Sequence, residues 1–287
     1  MIGETHSQSP SSALASSVVA PPSVATWFIL PFMLAAVSVG TWKLLGTDLP
    51  RPAASGIPLL VSVVAILVLE RFFPLHRAWN RRPDAADLIL LVVNRGVDLA
   101  LLGGTVALIA VLGDTLRGVS LWPTSWPVAL QVVAGITIGE FLRYAMHRYS
   151  HRPGLWWAVH RTHHQPERMY SLNGPRLHPL NYLWVSAAHG VPMLLLGAPV
   201  EVVLVVMNVT ALFVVFQHAN LKLRFDGINR VFATPDVHRI HHARQIVGIG
   251  ANFSIVLVLV DLIFGTYAPA DTEVAVDGIG SAGPQGS

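Results

Sequence analysis

The sequence predicts an all-α fold: a polytopic membrane helical bundle of about four spans plus a helical hairpin, with a cytoplasmic histidine-rich metal-binding cap. Three observations lead there. Of the 287 residues, 53% are hydrophobic and only 12% charged, whereas about a quarter of a soluble domain is charged. The apolar residues gather in runs approaching the roughly 20 that a bilayer requires. Histidine is confined as well: apart from His6 and His76, all of the thirteen lie between His147 and His242.

Taken along the chain, residues 1–23 are rich in Ser, Ala and Pro and hold no Lys or Arg. They read as a disordered tail, not as a signal peptide, which would open on a basic segment. A membrane-embedded domain then runs over 24–268. Its first span is Val24–Leu45 and its second Ile57–Phe73. The third, Leu88–Leu112, carries Asn94, Arg95 and Asp98 inside it, and the fourth, Val128–Met146, runs straight into the first histidine cluster. Leu183–Leu196 and Pro199–Phe216 form a hairpin around Gly197-Ala198-Pro199. Ala251–Phe264 is too short to span and is expected at the interface or against the bundle. From Pro269 the chain turns polar and Gly-rich, a second disordered tail over 269–287.

Basic residues orient the spans. Arg71, Arg77, Arg81 and Arg82 follow the second span. Arg148, Arg152, Arg161, Arg168 and Arg176 follow the fourth, and Lys222, Arg224, Arg230, Arg239 and Arg244 follow the sixth. The opposite loops hold only Lys43, Arg51 and Arg117. The histidine clusters therefore belong on the cytoplasmic side of a multi-pass integral membrane protein. The net charge of +3 is a membrane-orientation signal with attraction to anionic headgroups, and no nucleic-acid footprint. The chain has no cysteine, which excludes disulfides, thiolate-ligated haem and cysteine-held iron–sulfur clusters.

Eight histidines form three clusters: His147 and His151 (HxxxH), His160, His163 and His164 (HxxHH), and His238, His241 and His242 (HxxHH). Residues three and four apart share a helix face, so each cluster aims its imidazoles at one place. Neutral imidazole is the commonest protein ligand for metals. Adjacent histidines diverge by about 100° on a helix, so His163-His164 and His241-His242 suit two neighbouring ions. Two ions with about five ligands each would need around ten histidines. An all-nitrogen site suits iron, copper or zinc, and no Glu-x-x-His of the soluble di-iron kind occurs.

The stretch from Glu140 to Pro179, EFLRYAMHRYSHRPGLWWAVHRTHHQPERMYSLNGPRLHP, resembles the first part of the fatty acid hydroxylase and sterol desaturase superfamily. FQHANLKL and TPDVHRIHHARQIVGIGANFSIVLVLVDLIFGTY resemble its second part. The likeness runs roughly from Glu70 to Tyr267. It implies a membrane enzyme with two iron ions held by histidine, using O2 and external electrons; zinc is a possible substitute in purified protein. The implied ligands are His147, His151, His160, His163, His164, His238, His241 and His242, together with His218 in His-Ala-Asn and His178 in Arg-Leu-His-Pro. The sequence departs from the family pattern at Glu140, where Asp is frequent, and at Ser254, where Gly is common; neither position touches a ligand.

Four polar residues are candidates for supporting the ligands. Glu140, seven before His147, would accept an imidazole N–H or pair with Arg143 or Tyr144. Asn220 would orient His218 or line the site. Asp236 and Asn252 are either partners of ligands or cap and turn residues. Trp156 and Trp157 read as interfacial anchors. His189, mid-span, is either a ligand or structural, and His76 is structural. The substrate is expected to be a lipid entering from the bilayer: sterol, hopanoid, fatty acyl chain, ether lipid or carotenoid. Without a dinucleotide fingerprint or haem domain, electrons must come from a separate ferredoxin, cytochrome b5-like protein or flavin reductase. Two other readings stand beside the oxygenase: a histidine-rich metal-binding or transport protein, and a bis-histidine haem carrier.

Overall fold

The computed structural model describes residues 24–116, 121–223, 225, 227–244, 250–269 and 278–280. The tail expected over 1–23 and most of that over 269–287 lie outside the described residues. Those described are helical or irregular, and the only β-structure among them is a set of isolated bridges.

Six long helices form the bundle: α1 (Val24–Leu45), α2 (Arg51–Phe72), α3 (Ala85–Leu116), α4 (Val128–Ser150), α6 (Pro179–Leu195) and α7 (Val200–Phe216). Pro50, Pro127 and Pro199 stand at the N-caps of α2, α4 and α7, where the chain loses no helical hydrogen bond to proline's missing N–H. Gly197, at φ 84°, makes the tight turn between α6 and α7 that a Cβ would oppose.

The most enclosed element is α7, packed against α1, α2, α4 and α6. Val205, Val209, Leu212, Phe213 and Phe216 meet Leu30, Met33 and Val37 of α1 and Ile66 of α2 in the main core. The outward faces of α1–α3 show the opposite character: Phe28, Phe32, Leu60, Val61, Ile89 and Val92 are all more than 60% exposed. Apolar surface on that scale belongs against lipid. Among the described residues, Trp27–Leu45, Arg51–Phe72 and Val128–Ser150 are long and apolar enough to cross a membrane. The hairpin helices α6 and α7 have 17 residues each, about 25 Å of rise.

The loops sort to two ends. At one, Trp122 N–H donates to the Leu196 carbonyl at 2.9 Å and Arg51 pairs with Glu201 at 2.9 Å, tying together the α1–α2, α3–α4 and α6–α7 connections. At the other end sit the remaining elements: α5 (Leu155–His164), α8 (Pro235–His241), the short α9 (Leu259–Ile263) and the segments between them. There the Leu75 and Lys222 N–H groups bond across to Asn220 and Phe73. Arg168 and Arg176 are bound to Asp84 and Asp87 at the head of α3. They clamp this cap to the bundle and are not free loop charges. One part of the expected C-terminal tail is docked: the Gly278 carbonyl accepts the Arg244 N–H at 2.8 Å, and Ile279 packs with Trp79 and Met169. The Ala251–Phe264 segment does pack against the bundle, mostly as irregular chain ending in α9.

Candidate metal centre

Nine histidine rings converge where α4 and α7 enter the cap. They come from the end of α4 and its C-cap, from α5, from just beyond α7 and from α8. They fall into two sets whose ligand nitrogens lie within 4.8 Å of one another: His147, His151, His160, His164 and His241 in the first, His163, His218, His238 and His242 in the second. The doubled histidines are split as their helical angle requires, His164 and His241 to the first set, His163 and His242 to the second. The His164 and His242 rings stack at 4.4 Å between centroids, so the two sets are neighbours.

Protein oxygens fix which nitrogen faces inward. Nδ1 of His147 lies 2.7 Å from the Phe253 carbonyl, that of His241 2.7 Å from Ala251 O, and that of His218 2.7 Å from Val214 O. His160 Nδ1 meets Asn181 Oδ1 at 2.7 Å and His163 Nδ1 meets Arg176 O at 3.3 Å. Each of these oxygens only accepts, so each Nδ1 carries the proton and each Nε2 presents a lone pair. The lone pairs then face one another. His218 Nε2 stands 3.2 Å from the Nε2 atoms of His163, His238 and His242, and in the first set His160 Nε2 is 3.1 Å from His151 and 3.2 Å from His164.

His163 and His218 both hold their proton on Nδ1, so no hydrogen bond can join their Nε2 atoms. Only a cation between them makes 3.2 Å favourable. Nitrogens about 2.0–2.1 Å from one transition-metal ion stand roughly 2.9–3.4 Å apart, the spacing seen. His147 Nε2 and His241 Nε2, buried without a hydrogen-bond partner, fit the same account. The residues present therefore suit a pair of metal ions. A haem would need two of these nitrogens on opposite faces of a porphyrin, and nine rings this close leave no room for one.

Burial has an electrostatic consequence. It pushes His160 down to about 4 and His218 and His241 to about 3. His163, His164, His238 and His242 are held well below the ordinary imidazole range by burial and then by one another. These seven rings are neutral at pH 7, as metal ligands must be.

The other predicted residues fall elsewhere. His178 is exposed at the N-cap of α6, its Nδ1 accepting the Leu180 N–H at 3.2 Å; it caps a helix and joins neither set. His189 is buried, with Nε2 3.0 Å from Thr210 Oγ1, and also stands apart. Glu140 accepts the N–H groups of Ile255 at 2.6 Å and Val256 at 2.8 Å and no imidazole: seven residues are two turns, about 10.5 Å, beyond a carboxylate's reach to His147. Asn252, at φ 55°, bonds Val237 O and both Ala268 backbone groups. Asn220 clasps the His76 backbone through both side-chain atoms, and Asp236 accepts Phe225 N–H. These four hold segments that carry ligands or their acceptors. Trp157 is buried against the His151 and His164 rings and is no lipid-facing anchor, whereas Trp156 packs on Trp184 and Tyr149.

Sequence reasoning missed Asn181. Its Oδ1 holds His160, while its Nδ2 donates to Ser150 Oγ at 3.3 Å and Ser150 donates to Met146 O, which fixes the amide's orientation. It also missed Asp261, whose two carboxylate oxygens accept Phe253 N–H and Ser254 N–H at 2.9 Å and so steady the carbonyl that holds His147.

Residues 132–266 match the family model described as fatty acid hydroxylase. Ornithine lipid hydroxylase OlsE of Rhizobium tropici is 33% identical over 232 residues, covering 76% of this chain and 70% of that protein. Alkylglycerol monooxygenase of Danio rerio is 29% identical over 153 residues, 53% of this chain but 33% of the relative. Methylsterol monooxygenase 2-2 of Arabidopsis thaliana is 26% identical over 179 residues, 62% and 66% of the two chains. No solved structure matches the chain.

Proposed function

The chain belongs to the fatty acid hydroxylase family, and from that premise we propose that it is a membrane-bound, O2-dependent di-iron oxygenase that hydroxylates or desaturates a lipid C–H bond. The observation that carries this is the pair of histidine sets, with five of the rings locked as Nε2 donors by protein oxygens. Nine nitrogens exceed what one zinc site of three or four ligands uses. The eight clustered histidines and His218 would hold the ions, and zinc would occupy the same nitrogens in protein purified from iron-poor cells.

Iron held there supplies the reduction of O2 and removal of a hydrogen atom from carbon. In balance, a C–H bond, O2, two electrons and two protons give an alcohol and water; desaturation instead removes two hydrogens and gives two waters. The chain's own residues hold the neutral rings in register, keep bulk water out through burial and admit an apolar chain from the bilayer side. Both electrons come from a separate donor, a ferredoxin, cytochrome b5-like protein or flavin reductase, meeting the basic cytoplasmic rim.

The relatives named above act on ornithine lipid, alkylglycerol and methylsterol by their names, which supports a polar-headed lipid here. Iron analysis of the detergent-purified protein beside a His163→Ala, His164→Ala double variant tests the reading. About two irons per chain, lost in the variant, together with O2- and reductant-dependent oxidation of a lipid, is the expected result. Iron-loaded, folded protein that fails to consume O2 with any lipid of these classes would count against it.

A further inference from the structure

Two cavities share a wall in which Arg143 is the one charged side chain. The smaller, about 360 Å³ with its open mouth, is walled by His147, His160, His163 and His218. The larger, about 940 Å³ on the same measure, lies between α2, α3, α6 and α7 under Leu59, Val63, Leu91 and Met207. Arg143, Leu177 and Val214 line both. Arg143 stands one helical turn before His147 on α4, about 6 Å away along the axis.

Of the charged side chains in this passage, only the Arg143 guanidinium lines both cavities. Asp98, Tyr182 and Glu140 lie within electrostatic reach of it and offset part of its charge, yet the hydrogen bonds they make go to other groups. Asp98 accepts from Arg95 at 2.9 Å and from Tyr182 at 2.8 Å, and Glu140 holds the Ile255 and Val256 N–H groups. Among the described residues Arg143 donates no hydrogen bond to the protein. A guanidinium carries five N–H donors and no acceptor, and a cation at membrane depth is costly unless something there answers it. The walls of the larger cavity are apolar over most of their area, with a polar group of Arg95, Asp98, Arg143, Tyr182 and Ser186 to one part, as in a site that takes an apolar chain and fixes one polar end.

We infer that Arg143 anchors the substrate: the larger cavity takes a lipid whose oxygen acceptor, a carboxylate or an acyl carbonyl, sits on this guanidinium. The carbon that is oxidised then lies only a few bonds from that oxygen, because Arg143 lines the histidine-walled cavity one helical turn from His147. The inference rests on the oxygenase reading for the oxidation step, but the binding itself does not need turnover.

Equilibrium binding of radiolabelled palmitate, methyl palmitate and hexadecane to the iron-loaded protein in detergent tests it. The expected result is that palmitate, or both oxygenated ligands, bind about tenfold or more tightly than hexadecane, the worth of one charge-assisted contact. Preference for palmitate alone identifies a carboxylate; equal preference for the ester identifies a carbonyl. Arg143→Met should erase the difference with iron content and thermal midpoint unchanged, and Arg143→Lys should restore part of it for palmitate. Hexadecane binding as tightly as palmitate to the wild-type protein overturns the assignment, and so does undiminished preference in a folded, iron-loaded Arg143→Met. If that variant does not fold, the wild-type comparison and Arg143→Lys decide. An intact preference without turnover would instead sink the oxygenase reading and leave Arg143 in place.

Discussion

A single amide shows how much of the site depends on residues that touch no metal. Asn181 Oδ1 fixes the tautomer of His160, and nothing else bonds that Nδ1. Asn181→Ala should therefore cost roughly 10–100-fold in metal affinity, the usual loss when such a partner is removed, read by chelator competition at unchanged helical content. The rings themselves set a pH limit. Their folded values, about 4 for His160 and about 3 for His218 and His241, lie below the roughly 6.5 of an unfolded histidine. The unfolded chain thus binds more protons, so stability is full above about pH 6.5 and falls as pH drops toward 4. Metal-stripped protein should lose thermal midpoint over that window, and loaded protein should release metal in it; a flat profile from pH 7 to 4 would contradict the neutral cluster. At this scale eight of the nine converging rings were legible, because HxxxH and HxxHH place rings on one face by local geometry alone, whereas His218 came only from the family resemblance. Their acceptors were not. Phe253, Ala251 and Val214 contribute only carbonyls, which every residue has, and Asn181 lies 17 positions beyond His164 with no local pattern to mark it.

Among the elements, the 251–256 segment has the most to hold for its length. It supplies the carbonyls on His241 and His147, yet it has no regular structure of its own. Glu140 from α4, Asp261 from α9 and Asn252 within it provide the bonds a helix or sheet would have provided. Glu140→Gln leaves one acceptor for two N–H groups, so one buried donor goes unpaired at a cost of about 1–3 kcal/mol. Lower thermal stability and faster hydrogen exchange at Ile255 and Val256, with iron content partly lost, should follow; unchanged exchange there would show that the segment is held by other means. The α4–α6 contact is similarly exacting. A Cβ on Gly139 would clash with the His189 ring, so Gly139→Ala must displace that buried ring or the helix that carries it and should destabilise the protein by about 1–3 kcal/mol, seen as a lower midpoint. The length of the apolar runs made these helices legible, α1 at both ends, although α2 begins at Arg51, six residues before the expected Ile57. It could not show that α7 would be the enclosed one, since spans all read as apolar and only packing distinguishes a lipid face from a core face.

For the molecule as a whole, the structure gathers the α2–α3 connection, α5, α8 and the histidines at one end, with Lys43 and Arg51 at the other. That is the alternation the basic residues imply, and it makes sidedness a question with one answer for all loops together. The surface arginines Arg77, Arg81, Arg82, Arg148, Arg152 and Arg161 all belong to the histidine end, so the positive-inside rule predicts a cytoplasmic position for it, the side on which a soluble electron donor would meet it. The chain has no native cysteine, so single cysteines can report position without background. Cysteine placed at Arg82 or Lys222 should react with a membrane-impermeant maleimide only in inverted vesicles or after lysis, and cysteine at Asp48 already in intact cells but not in sealed inverted vesicles. Asp48 is exposed in the α1–α2 turn and takes no part in the Arg51–Glu201 pair, so labelling there tests topology and not folding. The reverse pattern would put the metal centre on the outer side, and a cytoplasmic ferredoxin or flavin reductase could then not serve as its donor.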